Sequence, residues 1–279
     1  MRSKLVLSIF FFSIVSFAQT EFAIIGDAGR INKNSQLVMK SILNHGVNQL
    51  ILPGDNLYSS TYEKVWKAWQ DNQFDFSVVA IGNHNSGYAE EVNYFQMPGE
   101  YYKKSIGFAD FFVLNSDNPK NISAQMAWLD KELQNTTMKN VFLVYHHPTY
   151  TISKVHGWTD RKAFQIEMRK RLIKFRSKIT ALMVGHDHLA SLIHFGDLPV
   201  ILSGAVQEVR KDSPVDYVTE GVRIKTAWYF DHTPYWAQLV VTSTGSTVHF
   251  IKAQTNQTNC SVRLYTGMAA ELGANCEQN

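Results

Sequence analysis

Five short apolar runs in this chain each end in a turn that carries an oxygen or imidazole side chain. Phe22-Ala23-Ile24-Ile25 stops at Gly26-Asp27-Ala28-Gly29, and Gln49 to Leu52 stops at Pro53-Gly54 before Asp55-Asn56-Leu57-Tyr58. Phe76 to Ile81 ends in Gly82-Asn83-His84-Asn85. Val141 to Tyr145 ends in His146-His147-Pro148, and Ala181 to Val184 in Gly185-His186-Asp187-His188. Apolar runs this short, bounded by turn residues, read as buried strands. Helical patterns lie between them. Asn34 to His45 carries Leu37, Val38, Ile42 and Leu43 on one side, and Tyr62 to Trp69 follows the Asp55 turn. Strands alternating with helices predict a layered α/β fold. In open α/β sheets the chemistry sits outside the carboxyl ends of the strands.

The rest of the chain fits the same frame. Tyr101 to Asn115 holds two β-like runs around Gly107. Ser123 is the expected cap of a helix bearing Met126, Leu129 and Leu133. Arg161 to Phe175 has Phe164, Met168, Leu172 and Phe175 on one face and basic residues on the other, a pattern of a solvated helix face. The last third is β-rich: Ser191 to Phe195, Val200 to Ser203, Trp236 to Thr242 and Thr247 to Ala253, with a hairpin turn at Thr244-Gly245-Ser246. From Thr255 the composition turns polar and predicts a tail. Segments 86–99 and 207–226 carry no motif.

The amino terminus reads as an export signal. Arg2 and Lys4 precede an apolar stretch from Leu5 to Phe17, and Ser16-Phe17-Ala18 is a small-x-small cleavage site. The stretch is short for a membrane span, although an uncleaved anchor is the alternative. The expected organisation is a signal peptide over 1–18, a catalytic domain over 19–254 and a tail over 255–279. Cys260 and Cys276 pair within that tail or remain free thiols; export favours the disulfide. Removing Arg2 and Lys4 from the 27 basic residues leaves 25 against 24 acidic ones. A near-neutral chain offers no electrostatic case for nucleic acid or membrane partners. At 45% hydrophobic it can bury a full core.

Taken alone, Asp55 or Asn56 fits an Asx-turn as well as a metal site. Taken together, the five turns offer Asp27, Asp55 with Tyr58, Asn83 with His84, His146, and His186 with His188, and no thiolate. That set suits hard or borderline ions rather than a cysteine-based structural zinc. His-x-His on an extended strand splays its rings to opposite faces; at a turn both can point into one cleft. A bridging carboxylate, Asp55, would hold two ions roughly 3.5–4 Å apart, lowering the pKa of a bound water and clamping a phosphate oxygen. His45, His194, His232 and His249 match no motif and read as surface or packing residues. Asp187 reads as an orienting residue, and Asp110, Asp117 and Asp231 as turn residues.

The five motifs, in order and spacing, resemble those of the calcineurin-like metallophosphoesterases over the span from the cleavage site to about Ala253. Gly29 stands where most of that superfamily has a histidine, and Tyr58 where the purple acid phosphatases place a compensating tyrosine. The chain is therefore most similar to the small, tartrate-resistant type. The resemblance implies a four-layer α/β/β/α sandwich. It implies a ferric ion held by Asp27, Tyr58 and His188. It also implies a divalent ion (iron, zinc or manganese) held by Asn83, His146 and His186, with Asp55 bridging the two. His84, not a ligand, would protonate the leaving group, and His156, followed by Gly157, resembles a second phosphate-facing histidine. The ligand of the His146-His147 pair would be the first. The implied activity is hydrolysis of phosphate monoesters by attack of a metal-bound hydroxide, in a secreted or periplasmic monomer whose partner is its phosphate-ester substrate. A phosphodiesterase or nucleotidase on the same fold, or an exported metal-binding protein with little hydrolytic activity, are the alternatives. Ala28, Asn85 and Leu189 depart from the small type at positions that are not ligands.

Overall fold

The computed structural model describes residues 18–153, 161–209, 216–219, 221–230 and 233–276. In chain order the elements are β1 (Thr20–Ile24), α1 (Lys33–Asn44), β2 (Gln49–Leu52), α2 (Tyr62–Asp71), β3 (Asp75–Val79) and α3 (Tyr88–Tyr94). Next come β4 (Tyr102–Ile106), β5 (Ala109–Val113), α4 (Ile122–Asn135), β6 (Asn140–Val144), α5 (Lys162–Lys174) and β7 (Ala181–Val184). The chain ends with β8 (Ala190–Phe195), β9 (Leu198–Ser203), β10 (Tyr217–Thr219), β11 (Val222–Phe230), β12 (Tyr235–Val241), β13 (Ser246–Lys252), β14 (Gln257–Leu264) and β15 (Glu271–Leu272).

These strands form two mixed sheets, ordered β15-β14-β13-β12-β1-β2-β3 and β10-β11-β8-β9-β7-β6-β5-β4. The strands that carry the motifs are parallel within each sheet: β1, β2 and β3 in the first, β6 and β7 in the second. Side-chain alternation sorts the layers. In β6, Val141 and Leu143 pack with Met126, Leu129 and Leu133 of α4 and Phe164, Met168 and Leu172 of α5. The alternate residues Phe142 and Val144 join the core shared with the first sheet. Phe22 of β1 meets Phe111 of β5 edge-on at 5.2 Å across that core, and Trp228 of β11 stacks on Phe250 of β13 at 4.4 Å. On the reverse face of the first sheet, Trp236 donates its indole N–H to Ser41 Oγ of α1 at 2.9 Å. The architecture is the four-layer α/β/β/α sandwich.

Four sequence expectations change. Ser123 lies inside α4, not at its cap; a 3₁₀ turn over Pro119–Asn121 leads in, and Asn118 caps that turn instead. Residues 257–264, read as tail, form β14 and pair with β13 throughout their length. Their polar residues face outward while Cys260, Val262 and Leu264 are buried, a one-sided strand pattern that composition alone conceals. Cys260 and Cys276 form a disulfide that ties the chain end to this strand. Asp110 is buried in β5 and pairs with Lys103 at 2.8 Å, so it is no turn residue. The motif-free segments hold structure too: α3 within 86–99, and β10 with part of β11 within 207–226.

The helix α3 supports the loop after β2 from below. Glu91 is fully buried, and its Oε1 accepts from Asn56 Nδ2 at 2.6 Å. Asn56 also donates to the Ala80 carbonyl at 2.9 Å, and its own carbonyl accepts from Trp66 Nε1 of α2 at 2.9 Å. Burial pushes the Glu91 carboxyl up to about 8, against the hydrogen bond from Asn56. In the unfolded chain it titrates near 4.5. Below that pH both states hold the proton and folding loses nothing. As pH rises from there to about 8 the unfolded chain releases its proton first, so the fold loses stability across that window. Glu91→Gln keeps the shape and the bond from Asn56 but cannot ionise. In the metal-free protein its melting temperature should match the wild type at pH 4.5 and exceed it by several degrees at pH 8. A difference that is independent of pH would contradict this account of Glu91.

Candidate metal centre

All five motif turns converge where the two sheets meet. Gly26 N–H donates to the Ser203 carbonyl at the end of β9, and Ser203 Oγ donates back to the Ile24 carbonyl. Asp27 N–H donates to the Gly54 carbonyl, and Gly185 N–H to that of His146. Gly29 N–H donates to the Asp55 carbonyl at 3.0 Å while Tyr58 N–H donates to the Gly29 carbonyl at 2.9 Å, so the first two turns are laced together. A Cβ at Gly29 would stand 2.3 Å from Leu57 N. The side chain absent at this position therefore has no room on this backbone, and the phenol of Tyr58 enters the cleft from the neighbouring turn.

Four site residues, Asp27 (φ 56°), Asp55 (φ 57°), His186 (φ 73°) and His188 (φ 53°), adopt left-handed backbone. Asp and His tolerate this region better than most residues, but it still costs about 1–3 kcal/mol each. The conformation turns each side chain out of its strand's alternation. It also resolves the His-x-His problem: with both histidines left-handed, His186 and His188 point into the same cleft. Asp187 between them is buried, and its Oδ2 accepts from Thr151 Oγ1, which makes it the orienting residue that the spacing suggested. Burial lifts its carboxyl to about 8.

The contacts fall into two groups that share Asp55. In the first, Tyr58 OH lies 3.1 Å from Asp27 Oδ1, 2.9 Å from Asp55 Oδ2 and 2.9 Å from His188 Nε2. His188 Nε2 is also 3.3 Å from Asp27 Oδ1. In the second, His146 Nε2 lies 3.0 Å from Asp55 Oδ1 and 3.3 Å from His186 Nδ1. Asp27 Oδ2 accepts from the His186 N–H, and Asp55 Oδ1 from the His84 N–H, both at 2.8 Å. Asn83 Oδ1 is buried with no hydrogen-bond partner among the described residues. His84 is exposed, its ring stacked on that of Tyr58 at 4.3 Å. His156 lies outside the described residues, as do His232 and Asp231.

This arrangement holds too many lone pairs for its protons. One phenolic proton cannot serve both Asp27 and Asp55. Burial opposes a charge on Asp55, but the His146 imidazole and the hydrogen bonds around it hold its carboxyl below the usual range. Burial and the two carboxylates push the Tyr58 phenol far up. His146 Nδ1 must donate to the Pro53 carbonyl at 3.0 Å, which fixes the tautomer and aims the Nε2 lone pair at Asp55. Burial works against protonation of His146, yet Asp55 raises it to about 9. A cation between Nε2 and Oδ1 does the same electrostatic work as that proton, so metal binding here releases protons. The orphaned Asn83 oxygen, the carboxylate shared by both groups and the backbone-fixed histidine all fit a pair of metal ions. Asp27, Asp55, Tyr58, His146, His186 and His188 are thus brought together, and Asn83 lies on the adjoining turn next to His84, whose N–H donates to Asp55.

Sequence reasoning set one residue aside that the structure brings in. One nitrogen from each of His146, His147 and His186 lies within 4.8 Å of the others. His147 is buried, and burial together with His146 and His186 drives its imidazole well below the ordinary value. Only the doubled histidine signalled it. Glu91 was missed because nothing around it forms a motif.

Known structures share this architecture. GAP50, the anchor in the inner membrane complex of Plasmodium, aligns over 89% of this chain and 89% of its own, at TM-score 0.72 and 16% identity. Purple acid phosphatase PPD1 from yellow lupin (Lupinus luteus) seeds aligns over 88% of this chain at TM-score 0.65 and 15% identity; the match spans 53% of the lupin chain. A dimetal phosphatase from Danio rerio aligns over 90% of this chain and 98% of its own, at TM-score 0.54 and 12% identity. No family model matches the chain, and no curated protein matches it in sequence. The likeness at these identities is one of fold: the chain shares the fold of these phosphatases and of the Plasmodium anchor.

Proposed function

We propose that the protein is an exported, binuclear-metal acid phosphatase that hydrolyses phosphate monoesters. The observation that carries this reading is the pair of ligand groups sharing Asp55. Asp27, Tyr58 and His188 would hold one ion, ferric in this reading; Asn83, His146 and His186 would hold a divalent one; Asp55 would be shared by both. Two ions so held supply Lewis acidity at the phosphoryl oxygens and a bound water of lowered pKa. Tyr58 brings a phenolate oxygen to the first ion, which favours a trivalent metal there, and its proton leaves when that metal binds. His84 stands at the solvent side of the cleft, carried by a backbone N–H fixed on Asp55, and is placed to give a proton to the departing alkoxide. Export is supported by the amino-terminal signal pattern and by a disulfide of the kind that persists in oxidising compartments.

A second reading has its own support, since a structure with this fold serves as an anchor in the inner membrane complex of Plasmodium. On that reading the chain holds metal but hydrolyses little. The convergence of Asp27, Asp55, Tyr58, His146, His186 and His188 on one cleft favours the enzyme.

The two readings separate on rates. Purified protein replete in metal should turn over an aryl phosphate monoester faster than the matching diester, with an optimum below neutral pH. A diester preference near neutral pH would move the protein to the phosphodiesterases, and no turnover of either ester would leave the anchoring reading. Tyr58→Phe, which leaves the ring stacked on His84, should abolish any visible tyrosinate-to-iron absorption and lower kcat/KM by at least about tenfold. A coloured Tyr58→Phe protein would remove Tyr58 from the ligand set.

A further inference from the structure

Among the described residues, His147 is the one imidazole beside the centre to which the reading above assigns no work. Its backbone N–H donates to Ser116 Oγ at 3.0 Å, and its Nδ1 lies 2.8 Å from the same oxygen. With the proton on Nδ1, Ser116 accepts it and Nε2 is left as a lone pair. That Nε2 is buried and has no hydrogen-bond partner among the described residues. An imidazole nitrogen left so forfeits the hydrogen bond it makes in water, and native proteins seldom bury one without a water, ligand or ion to meet it. The ring does not face apolar core. Its centroid is 4.8 Å from that of His146 and 4.5 Å from that of His186.

The distance between the two neighbouring rings matches what one ion requires. Two nitrogens on a tetrahedral zinc, each about 2.0–2.1 Å from it, stand roughly 3.4 Å apart. His146 Nε2 and His186 Nδ1 are 3.3 Å apart. The His147 nitrogen lies within 4.8 Å of both, close enough for a small side-chain rotation to complete the set. The Nδ1 contact with Ser116 orients this ring as the Pro53 carbonyl orients that of His146, and metal-bound histidines are held in this way through the ring nitrogen that does not face the metal.

We propose that His147 is a third imidazole ligand of the ion held by Asn83, His146 and His186, and that it biases this position toward zinc over manganese. The inference rests on the two-metal reading. Imidazole suits zinc, whereas manganese prefers carboxylate, carbonyl and water. A third nitrogen where a water oxygen would otherwise bind therefore widens the gap between the two metals.

The test is metal binding, not turnover. Zinc and manganese affinities would be measured by chelator competition on metal-stripped wild type, His147→Ala and His147→Gln, and the visible spectrum recorded after loading with cobalt(II). The glutamine variant keeps polarity at the site and serves if the alanine variant fails to fold. Wild type should bind two ions per chain. Each variant should lose at least tenfold in zinc affinity at one site, lose less for manganese, and show an altered cobalt spectrum. Two ions bound by wild type, with zinc affinity and cobalt spectrum unchanged in the variants, would overturn the role of His147 alone. Fewer than two ions on wild type would overturn the two-metal reading and this inference with it.

Discussion

The structure depends on a buried carboxylate, Asp55, held where two sheets and two ligand groups meet. Its Oδ1 takes the His84 N–H and faces His146, while its Oδ2 faces Tyr58. An ionised carboxylate this deep is costly unless every lone pair is met. Backbone from the third motif turn supplies part of the answer, and it needs a glycine to do so. A Cβ at Gly82 would stand 2.2 Å from both Asp55 N and its Oδ1. Cations would supply the remainder, which ties the loop's rigidity to the site's proposed chemistry.

Rigidity comes from outside the ligand set. Trp66 of α2 and Glu91 of α3 clamp Asn56 from two sides. Gly29 backbone hydrogen bonds join the Asp27 and Asp55 turns, and Ser203 joins the first sheet to the second. These contacts sustain four left-handed residues whose strain would otherwise relax. Prepositioned ligands then bind metal without first paying to order the loops.

Much of the site was legible in the sequence because its signal is local. Each ligand follows an apolar strand, and strand ends in a layered α/β fold gather at one edge. The parallel core strands and the helices α1, α2, α4 and α5 were legible for the same reason, their periodicity being strong. What stayed hidden depends on tertiary context. Nothing local says that the polar run at 257–264 will pair with β13, or that Glu91 will lie under Asn56. The left-handed backbone at His186 and His188 likewise has no sequence mark, since neither residue is glycine. His147 was visible only as a neighbour of His146, because in a regular strand adjacent side chains point apart. At the turn after β6 they do not.

The central claim is that one carboxylate bridges two ions. Anomalous X-ray diffraction from crystals of metal-loaded protein, collected at the iron and zinc absorption edges, measures this directly. The account predicts two peaks roughly 3.5–4 Å apart, one among Asp27, Tyr58 and His188, the other among Asn83, His146 and His186, with Asp55 between. A single peak, or two peaks that Asp55 does not join, would contradict it.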